Sequence, residues 1–137
     1  MCGIAGIIAP LIDQAGRESA LGWMLDRQRH RGPDDRGFVS HSCATLGMAR
    51  LAIIDPAHGH QPMSSPDGRF HLVFNGAIYN HRELRATLEP AWAFRTHCDT
   101  EVLLAAFVRH GPACLSKLRG MFALAPAEAP ATPSRLA

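Results

Sequence analysis

The order of strand-like and helix-like segments is the feature that most limits how this chain can fold. Apolar runs of strand length lie at residues 3–8, 38–42, 44–54, 70–74 and 121–125. Helix-like segments lie at 17–29, 80–88 and 100–110. Because strands and helices do not alternate regularly, this order favours an α+β fold over a doubly wound parallel sheet.

The last two helix-like segments have recognisable ends. Asn80 and Glu83 are spaced as in a capping box, and Pro90 ends the helix that they begin. The segment at 100–110 is apolar on nearly every side, which predicts a buried helix. Gly111 and Pro112 follow it in the order typical of a helix C-terminus.

Composition and charge exclude several classes of protein. The 137 residues are 47% hydrophobic and carry a net charge of +2, which permits a folded core but predicts no nucleic-acid or membrane surface. The apolar N-terminus lacks a basic flank and is interrupted at Asp13, unlike a signal peptide or a membrane span. Four cysteines without a C-x-x-C pair predict free thiols, and therefore a soluble cytoplasmic protein.

The C-terminal residues differ in composition from the rest of the chain. Residues 126–137 read PAEAPATPSRLA and have no apolar periodicity. Their alanine and proline content predicts a disordered tail, so the folded domain is expected to cover residues 1–125.

Cys2 is the strongest candidate for a nucleophile. Removal of the initiator Met1 would leave Cys2 with both a thiol and a free α-amine. The ordinary pKa values of a thiol and an α-amine lie close together, so the amine can serve as the base for the thiol of the same residue. The alternative is that Cys2 is an ordinary second residue.

Asn75 and Gly76 directly follow an apolar strand-like run, where a side-chain amide and a backbone N–H can converge on one point. Two such donors form an oxyanion hole, and loss of one donor costs about 2.7–4 kcal/mol of transition-state stabilisation. The alternative is a hairpin turn, since Asn-Gly is the favoured type I′ dipeptide.

Two charged residues have equally open interpretations. Arg50 lies in the run ARLAII, which predicts a buried strand, and a buried arginine needs either a bound carboxylate or an internal salt bridge. Asp99 directly precedes the apolar helix, where an aspartate can serve simply as the N-cap. His58 and His60 lie in a polar loop without an acidic or thiolate residue at ligand spacing, so no metal site is predicted.

Several blocks together resemble class II glutamine amidotransferase domains, most closely the glutaminase domain of glutamine-dependent asparagine synthetases. The resemblance covers residues 1–125, and the blocks occur in the family's order and spacing: MCGIAGI, RHRGPDDRG, RLAIID with QPM, VFNGAIYNHRELR, DTEVLL and GMFALA. It implies an N-terminal-nucleophile hydrolase fold, a four-layer αββα sandwich in which two antiparallel sheets lie between helix layers.

The resemblance also implies a role for each candidate residue. Cys2 resembles the nucleophile, and Asn75 with the Gly76 N–H resembles the oxyanion hole. Arg50 resembles the group that holds the α-carboxylate of glutamine, and Asp99 resembles a partner of its α-ammonium. The backbone around Ile53 and Ile54 resembles part of the pocket wall. The implied half-reaction converts glutamine to glutamate and ammonia and needs no metal or cofactor.

Two departures from the family pattern bear on function. Ala77 stands where the family's N-G-E motif has its glutamate. The strands that follow the GMFA-type strand in the family are not found in this sequence, so the sandwich is expected to be incomplete at its C-terminus. The family's synthetase domain, which uses ATP and magnesium, is also absent from this sequence. The sequence therefore leaves three interpretations open: a glutaminase module, a glutaminase that serves a separate synthetase subunit, and an inactive fragment or regulatory binding module.

We predict that Ala77→Glu lowers the KM for glutamine. The family's glutamate helps to hold the substrate ammonium, and loss of one charged partner weakens binding by on the order of 1–3 kcal/mol, or roughly ten- to a hundred-fold. Steady-state glutaminase kinetics on both proteins measure this difference. An unchanged KM would show that Ala77 is not the cause of any weakened binding.

Overall fold

The computed structural model describes residues 2–41 and 43–129, and their elements follow the expected mixed order. In chain order these are β1 (Gly3–Ile8), α1 (Gln14–Arg27), β2 (Asp35–Ser40), β3 (Ala44–Arg50), β4 (Met63–Ser64), β5 (Phe70–Ile78), α2 (His81–Leu88), α3 (Asp99–His110), a 3₁₀ helix (Gly111–Lys117) and β6 (Gly120–Glu128).

The strands form two antiparallel sheets of three strands each. The first sheet has the order β1-β3-β2, and Gly3 of β1 lies opposite Ala49 of β3. The second has the order β4-β5-β6, in which β5 pairs with β6 along its whole length. Met1 and residues 130–137 lie outside the described residues, so neither the expected removal of Met1 nor most of the expected tail is described.

Three apolar clusters separate four layers, which confirms the expected αββα sandwich. The outer layers are α1 on the first sheet and α2 with α3 on the second. The cluster between α1 and the first sheet contains Ala5, Leu21 and Leu25. The cluster between the two sheets contains Leu46, Met48 and Val73. The largest cluster lies between the second sheet and its helices, and its members include Leu72, Phe74, Ile78, Val102 and Leu103.

Helix α3 is the buried helix that its apolar sequence predicts. Residues 99–106 of this helix are all buried. No helix among the described residues combines the length and apolar character that crossing a membrane requires.

Several expected boundaries are wrong. The run at 44–54 stays a strand only as far as Arg50, because β2 begins opposite that residue and offers no partner beyond it. Strand β5 does not stop at Asn75-Gly76 but continues to Ile78, because Phe122 and Ala123 of β6 pair with those two residues. Pairing with β6 therefore overrides the turn preference of Asn-Gly.

Two further local expectations are also corrected. The Asn80 side chain does not cap α2; instead it donates to the Lys117 carbonyl at 3.0 Å and accepts from the Arg119 N–H at 2.9 Å. Strand β6 runs through Glu128, three residues past the domain boundary expected at Ala125, and its last residues pair with the start of β5.

A buried carboxylate organises the segment that leads into α3. Glu101 is only 2% exposed, and its oxygens accept from Trp92 Nε1, the Arg95 N–H, and both the N–H and the hydroxyl of Thr96 at 2.7–3.3 Å. Burial acts to raise the pKa of Glu101, but these donors together outweigh burial and hold the pKa below its ordinary value. The carboxylate is therefore a structural anchor for the segment before the helix.

We predict that Glu101→Gln lowers the free energy of unfolding by about 1–3 kcal/mol at neutral pH, because an amide cannot accept from every donor that the carboxylate serves. Because the folded pKa lies below the ordinary value of 4.5, the contribution of Glu101 is fully present above that value. It is lost as pH falls through the folded pKa, so the variant and the unaltered protein should converge in acid.

Chemical denaturation across a pH series measures this difference. The control is Glu89→Gln, which removes an exposed pair with Arg85 and should change stability by less than about 0.5 kcal/mol. Equal losses for the two variants at neutral pH would contradict the anchoring role of Glu101.

Candidate active site

One pocket lies at the end of the sandwich where β1 begins and β3 ends. Its volume is about 150 Å³. The structure brings into its lining all seven residues to which the family resemblance gives a role: Cys2, Arg50, Ile53, Ile54, Asn75, Gly76 and Asp99. These positions come from the residue before β1, from the end of β3 and the loop after it, from β5 and from the start of α3, so the fold assembles them from distant parts of the chain.

Cys2 lies at the edge of the inter-sheet core. Since Gly3 pairs with Ala49, Cys2 falls beside the residues that follow β3. The Leu51 N–H donates to Sγ at 3.3 Å, and Arg31 Nε donates to the Cys2 carbonyl at 3.1 Å. An N–H directed at sulfur is suited to stabilise negative charge there, and the Arg31 contact fixes the backbone of the same residue.

Alternation along β5 explains why Asn75 and Gly76 face the pocket. Side chains of a strand alternate between its two faces, so Asn75 lies on the same face as Val73, which packs between the sheets. Backbone groups alternate between the two edges, and Phe74 and Ile78 bond to groups on the edge away from β6. Gly76 lies between them, so its N–H points to the pocket along the same edge.

Gly76 is required by a close approach between strands. A Cβ atom at this position would lie 2.6 Å from Phe122 Cα and closer still to the Met121 carbonyl oxygen, both in β6. A side chain here would therefore push β5 from β6 and displace the N–H that faces the pocket.

Arg50 combines parts of both interpretations that its sequence left open. It is 4% exposed and approaches Asp35 at 4.0 Å, but its hydrogen bonds go to the carbonyls of Ile54, Asp55 and Pro56 at 3.0–3.3 Å. Arg50 thus fixes the loop that walls the pocket, while it also lines the pocket as a cation.

Other residues hold the same loop in place. Asp34 accepts from the Ala52 N–H at 2.8 Å through its carboxylate and donates to the Arg50 carbonyl through its own N–H. Gly32 lies so close to the backbone of Ala49 that no Cβ fits there. The RHRGPDDRG block therefore holds the loop after β3 in place, a role that the sequence alone did not indicate.

Asp55 joins this loop to the segment before α3. Its carboxylate accepts from the His97 N–H at 2.9 Å and contacts the His58 ring at 2.8 Å. These two bonds, the His97 bond first, hold the pKa of Asp55 below its ordinary value. Asp55 has φ of 46°, in the left-handed region that aspartate tolerates better than most residues.

Asp99 is the first residue of α3 and is 4% exposed. The N-cap expected at this position is Cys98 instead, so Asp99 directs its carboxylate elsewhere: one oxygen accepts from the Ile78 N–H at 3.0 Å. Burial raises the pKa of Asp99 above its ordinary value. Within the described part of the chain Asp99 forms no salt bridge, so its charge is available to a bound cation.

The pocket carries two opposite charges. Among the described residues that line it, Arg50 is the one cation at neutral pH and Asp99 is the one carboxylate. Ala77 contributes only a methyl group where the family motif has a glutamate. The arrangement matches a small molecule that carries a carboxylate and an ammonium together.

Sequence analysis missed Gln61, although it lies in the quoted QPM block. Its buried side chain accepts from the Phe74 N–H at 2.7 Å and donates to the Phe74 carbonyl at 3.1 Å. A buried amide in a polar loop has no periodic signal, and its contacts join residues that lie far apart in sequence.

The two loop histidines each contact one carboxylate. His58 pairs with Asp55 at 2.8 Å and His60 with Asp35 at 2.6 Å, and both imidazoles are about two-thirds exposed. Across residues 2–41 and 43–129, no three histidine, cysteine or acidic side chains are grouped closely enough to hold a metal ion.

The chain is similar to known proteins over most of its length. Residues 1–130 match the family model described as glutamine amidotransferase domain. The chain is 43% identical to asparagine synthetase [glutamine-hydrolyzing] 1 of Bacillus subtilis (strain 168) over 126 residues, which are 90% of this chain and 20% of that protein. It is also 43% identical to a probable asparagine synthetase [glutamine-hydrolyzing] of Schizosaccharomyces pombe, over 89% of this chain and 22% of that protein. The chain thus spans about a fifth of these relatives.

A solved structure supports the fold independently. Glutamine phosphoribosylpyrophosphate (PRPP) amidotransferase from B. subtilis superimposes with a TM-score of 0.72 at 22% identity, over 93% of this chain and 34% of that one. At this identity the likeness concerns the fold alone, which is the N-terminal-nucleophile hydrolase fold. From the family match over residues 1–130, the chain belongs to the glutamine amidotransferase domain family.

Proposed function

We propose that this chain hydrolyses glutamine to glutamate and ammonia through a γ-glutamyl thioester on Cys2. The observation that carries the proposal is what one small pocket brings together: the Cys2 thiol, two candidate oxyanion donors, and one buried charge of each sign. A free amino acid with an amide side chain has complementary groups for all of them.

The charged ends of glutamine would occupy the two buried charges. Arg50 binds the α-carboxylate, for which a guanidinium offers paired donors, and Asp99 binds the α-ammonium. An ammonium beside Asp99 offsets the unfavourable burial of that carboxylate, which the raised pKa reflects. Ile53 and Ile54 wall the pocket from the loop after β3.

The chemistry then proceeds by acyl transfer. The α-amine of Cys2, free once Met1 is removed, takes the thiol proton, and Sγ forms a bond to the side-chain carbonyl carbon of glutamine. The electron pair moves to the carbonyl oxygen, where the Asn75 amide and the Gly76 N–H stabilise the negative charge. Breaking of the C–N bond, with return of the proton to nitrogen, releases ammonia and leaves the thioester. Water then cleaves the C–S bond and restores the thiol.

The wider role follows the names of the relatives. We propose that the ammonia serves an asparagine synthesis reaction on a separate synthetase domain or subunit, which would require ATP and magnesium. The glutaminase half-reaction itself requires neither. The cytoplasmic location expected from the sequence stays a prediction.

One observation favours a second candidate. Ala77 leaves Asp99 as the only carboxylate for the ammonium among the described pocket residues, so a chain that binds glutamine weakly and serves as a regulatory or inactive module is the alternative.

We predict that a diazo-ketone analogue of glutamine labels Cys2 stoichiometrically and that excess glutamine blocks the label. Intact mass and peptide mapping should also show that Met1 has been removed, since the mechanism needs the free amine. Cys2→Ala should lose both the label and ammonia release.

The matched control is Cys43→Ala, because Cys43 is an exposed free thiol outside the pocket. That variant should keep full labelling at Cys2. Retention of Met1, or labelling of Cys2 no faster than of Cys43, would favour the inactive module over the glutaminase.

We further predict that Asp99→Asn weakens glutamine binding and stabilises the fold at neutral pH. The variant loses the partner of the ammonium, which should raise KM on the order of 10- to 100-fold, while its amide oxygen can still accept from the Ile78 N–H. Because the folded pKa of Asp99 is raised, its charge opposes folding above that pKa. The stability gain should shrink as pH falls through the folded pKa towards the ordinary value of 3.8.

Glutamine kinetics and thermal unfolding across pH test both parts. Asp67→Asn is the control, since Asp67 does not line the pocket and its pKa is lowered by the Ser65 hydroxyl. It should leave KM unchanged. A KM for Asp99→Asn equal to that of the unaltered chain would remove Asp99 from the binding site.

A further inference from the structure

The outer edge of β5 is completed by a side chain in place of a strand. Strand β4 has only two residues, which pair with Leu72 and His71. Phe74 is the next residue whose backbone groups point to this edge. The Gln61 side chain accepts from the Phe74 N–H at 2.7 Å and donates to the Phe74 carbonyl at 3.1 Å. This is the two-bond exchange that a neighbouring strand residue would make.

We propose that Gln61 is a positioning residue that holds the two oxyanion donors in register with Cys2. The proposal rests on the function proposed above. Phe74 directly precedes Asn75, and Gly76 is the next residue whose N–H points to the same edge. By bonding to both backbone groups of Phe74, Gln61 fixes the peptide unit that leads into Asn75, directly before the unit that carries the Gly76 N–H.

The same amide reaches the other side of the pocket. Gln61 Nε2 also lies 3.4 Å from Thr100 Oγ1, in the residue after Asp99. One side chain therefore links the strand that carries the oxyanion donors to the helix that carries the candidate ammonium partner. Their relative placement depends on a group that itself touches the edge of β5.

Gln61 is held firmly from the opposite sheet. Its backbone carbonyl oxygen lies against Gly37 of β2, where a Cβ atom would collide with that oxygen, and the whole residue is 7% exposed. An amide fits this position because it offers one acceptor and two donors, and the three contacts use both kinds of group. Methionine has a similar length but can replace none of the donors.

The test compares Gln61→Met with Ser65→Ala in the full chain. Ser65 is the matched control because its hydroxyl accepts from the Phe70 N–H at 2.9 Å, on the same edge of β5 but outside the pocket. We expect Gln61→Met to lower kcat for glutamine on the order of 10- to 100-fold and to raise KM by a smaller factor, since the misplaced donors act on the transition state and the Thr100 contact to the helix is only one bond. Ser65→Ala should leave both parameters unchanged.

A second variant separates positioning from folding. Gln61→Glu keeps the acceptor for Phe74, and when its carboxyl is protonated the O–H can donate as the amide does. Its kcat, relative to that of the unaltered chain, should therefore recover as pH falls, whereas that of Gln61→Met should not. If Gln61→Met does not fold, the pH profile of Gln61→Glu tests the proposal alone. A kcat for Gln61→Glu that does not recover as pH falls would overturn it.

Amide NMR provides a readout that does not depend on turnover. Gln61→Met should shift the Gly76 N–H and Asn75 side-chain signals, and Ser65→Ala should not. Unchanged signals with unchanged kcat, or equal effects of the two variants, would overturn the role of Gln61. If the unaltered chain releases no ammonia, the proposed function fails, and the NMR comparison alone decides whether Gln61 positions the two groups.

Discussion

The pairing of β5 is continuous on one edge and assembled from separate parts on the other. Strand β6 matches β5 from Phe70 to Ile78 without a break. On the opposite edge, β4 pairs with Leu72, the Gln61 amide bonds to Phe74, and the Asp99 carboxylate accepts from Ile78. The backbone of Gly76 lies between the last two contacts, where the pocket opens. The continuous edge keeps Asn75 and Gly76 within the strand, and the divided edge leaves room for a ligand beside them.

The two buried charges, Arg50 and Asp99, each contact the protein backbone and also line the pocket. Arg50 satisfies three carbonyls of the loop after β3 and still lines the pocket, so the loop and the cation cannot move separately. Asp99 accepts from β5 but forms no salt bridge within the described chain, and burial raises its pKa, so its buried charge is only partly compensated. The buried charge of Asp99 therefore lowers the stability of the fold, as is common for charged groups in binding sites.

The sequence predicted the layers and the pocket residues better than it predicted where elements end. Apolar periodicity identified most elements, and the resemblance identified the residues that line the pocket. Local preference failed at Asn75-Gly76, where β6 supplies strand partners, and in the run after Arg50, where no partner strand is present. Both outcomes depend on a distant segment, so no local pattern contains them.

The same reason explains why Gln61 and Asp55 were missed. Each acts through a contact with residues 13 or 42 positions away, between a loop and an element that only the folded chain brings near.

The bond from the His97 N–H to the Asp55 carboxylate bears on the stereochemistry of a bound amino acid. It ties the loop held by Arg50 to the residue two positions before Asp99, so the separation of the two buried charges is fixed. Under the proposed function, with Cys2 as a third fixed point, the pocket would contact the carboxylate, ammonium and side-chain branches around the α-carbon of glutamine. A mirror-image amino acid could place only two of these branches correctly at once, so on that proposal the bond at Asp55 would make binding depend on handedness as well as on charge.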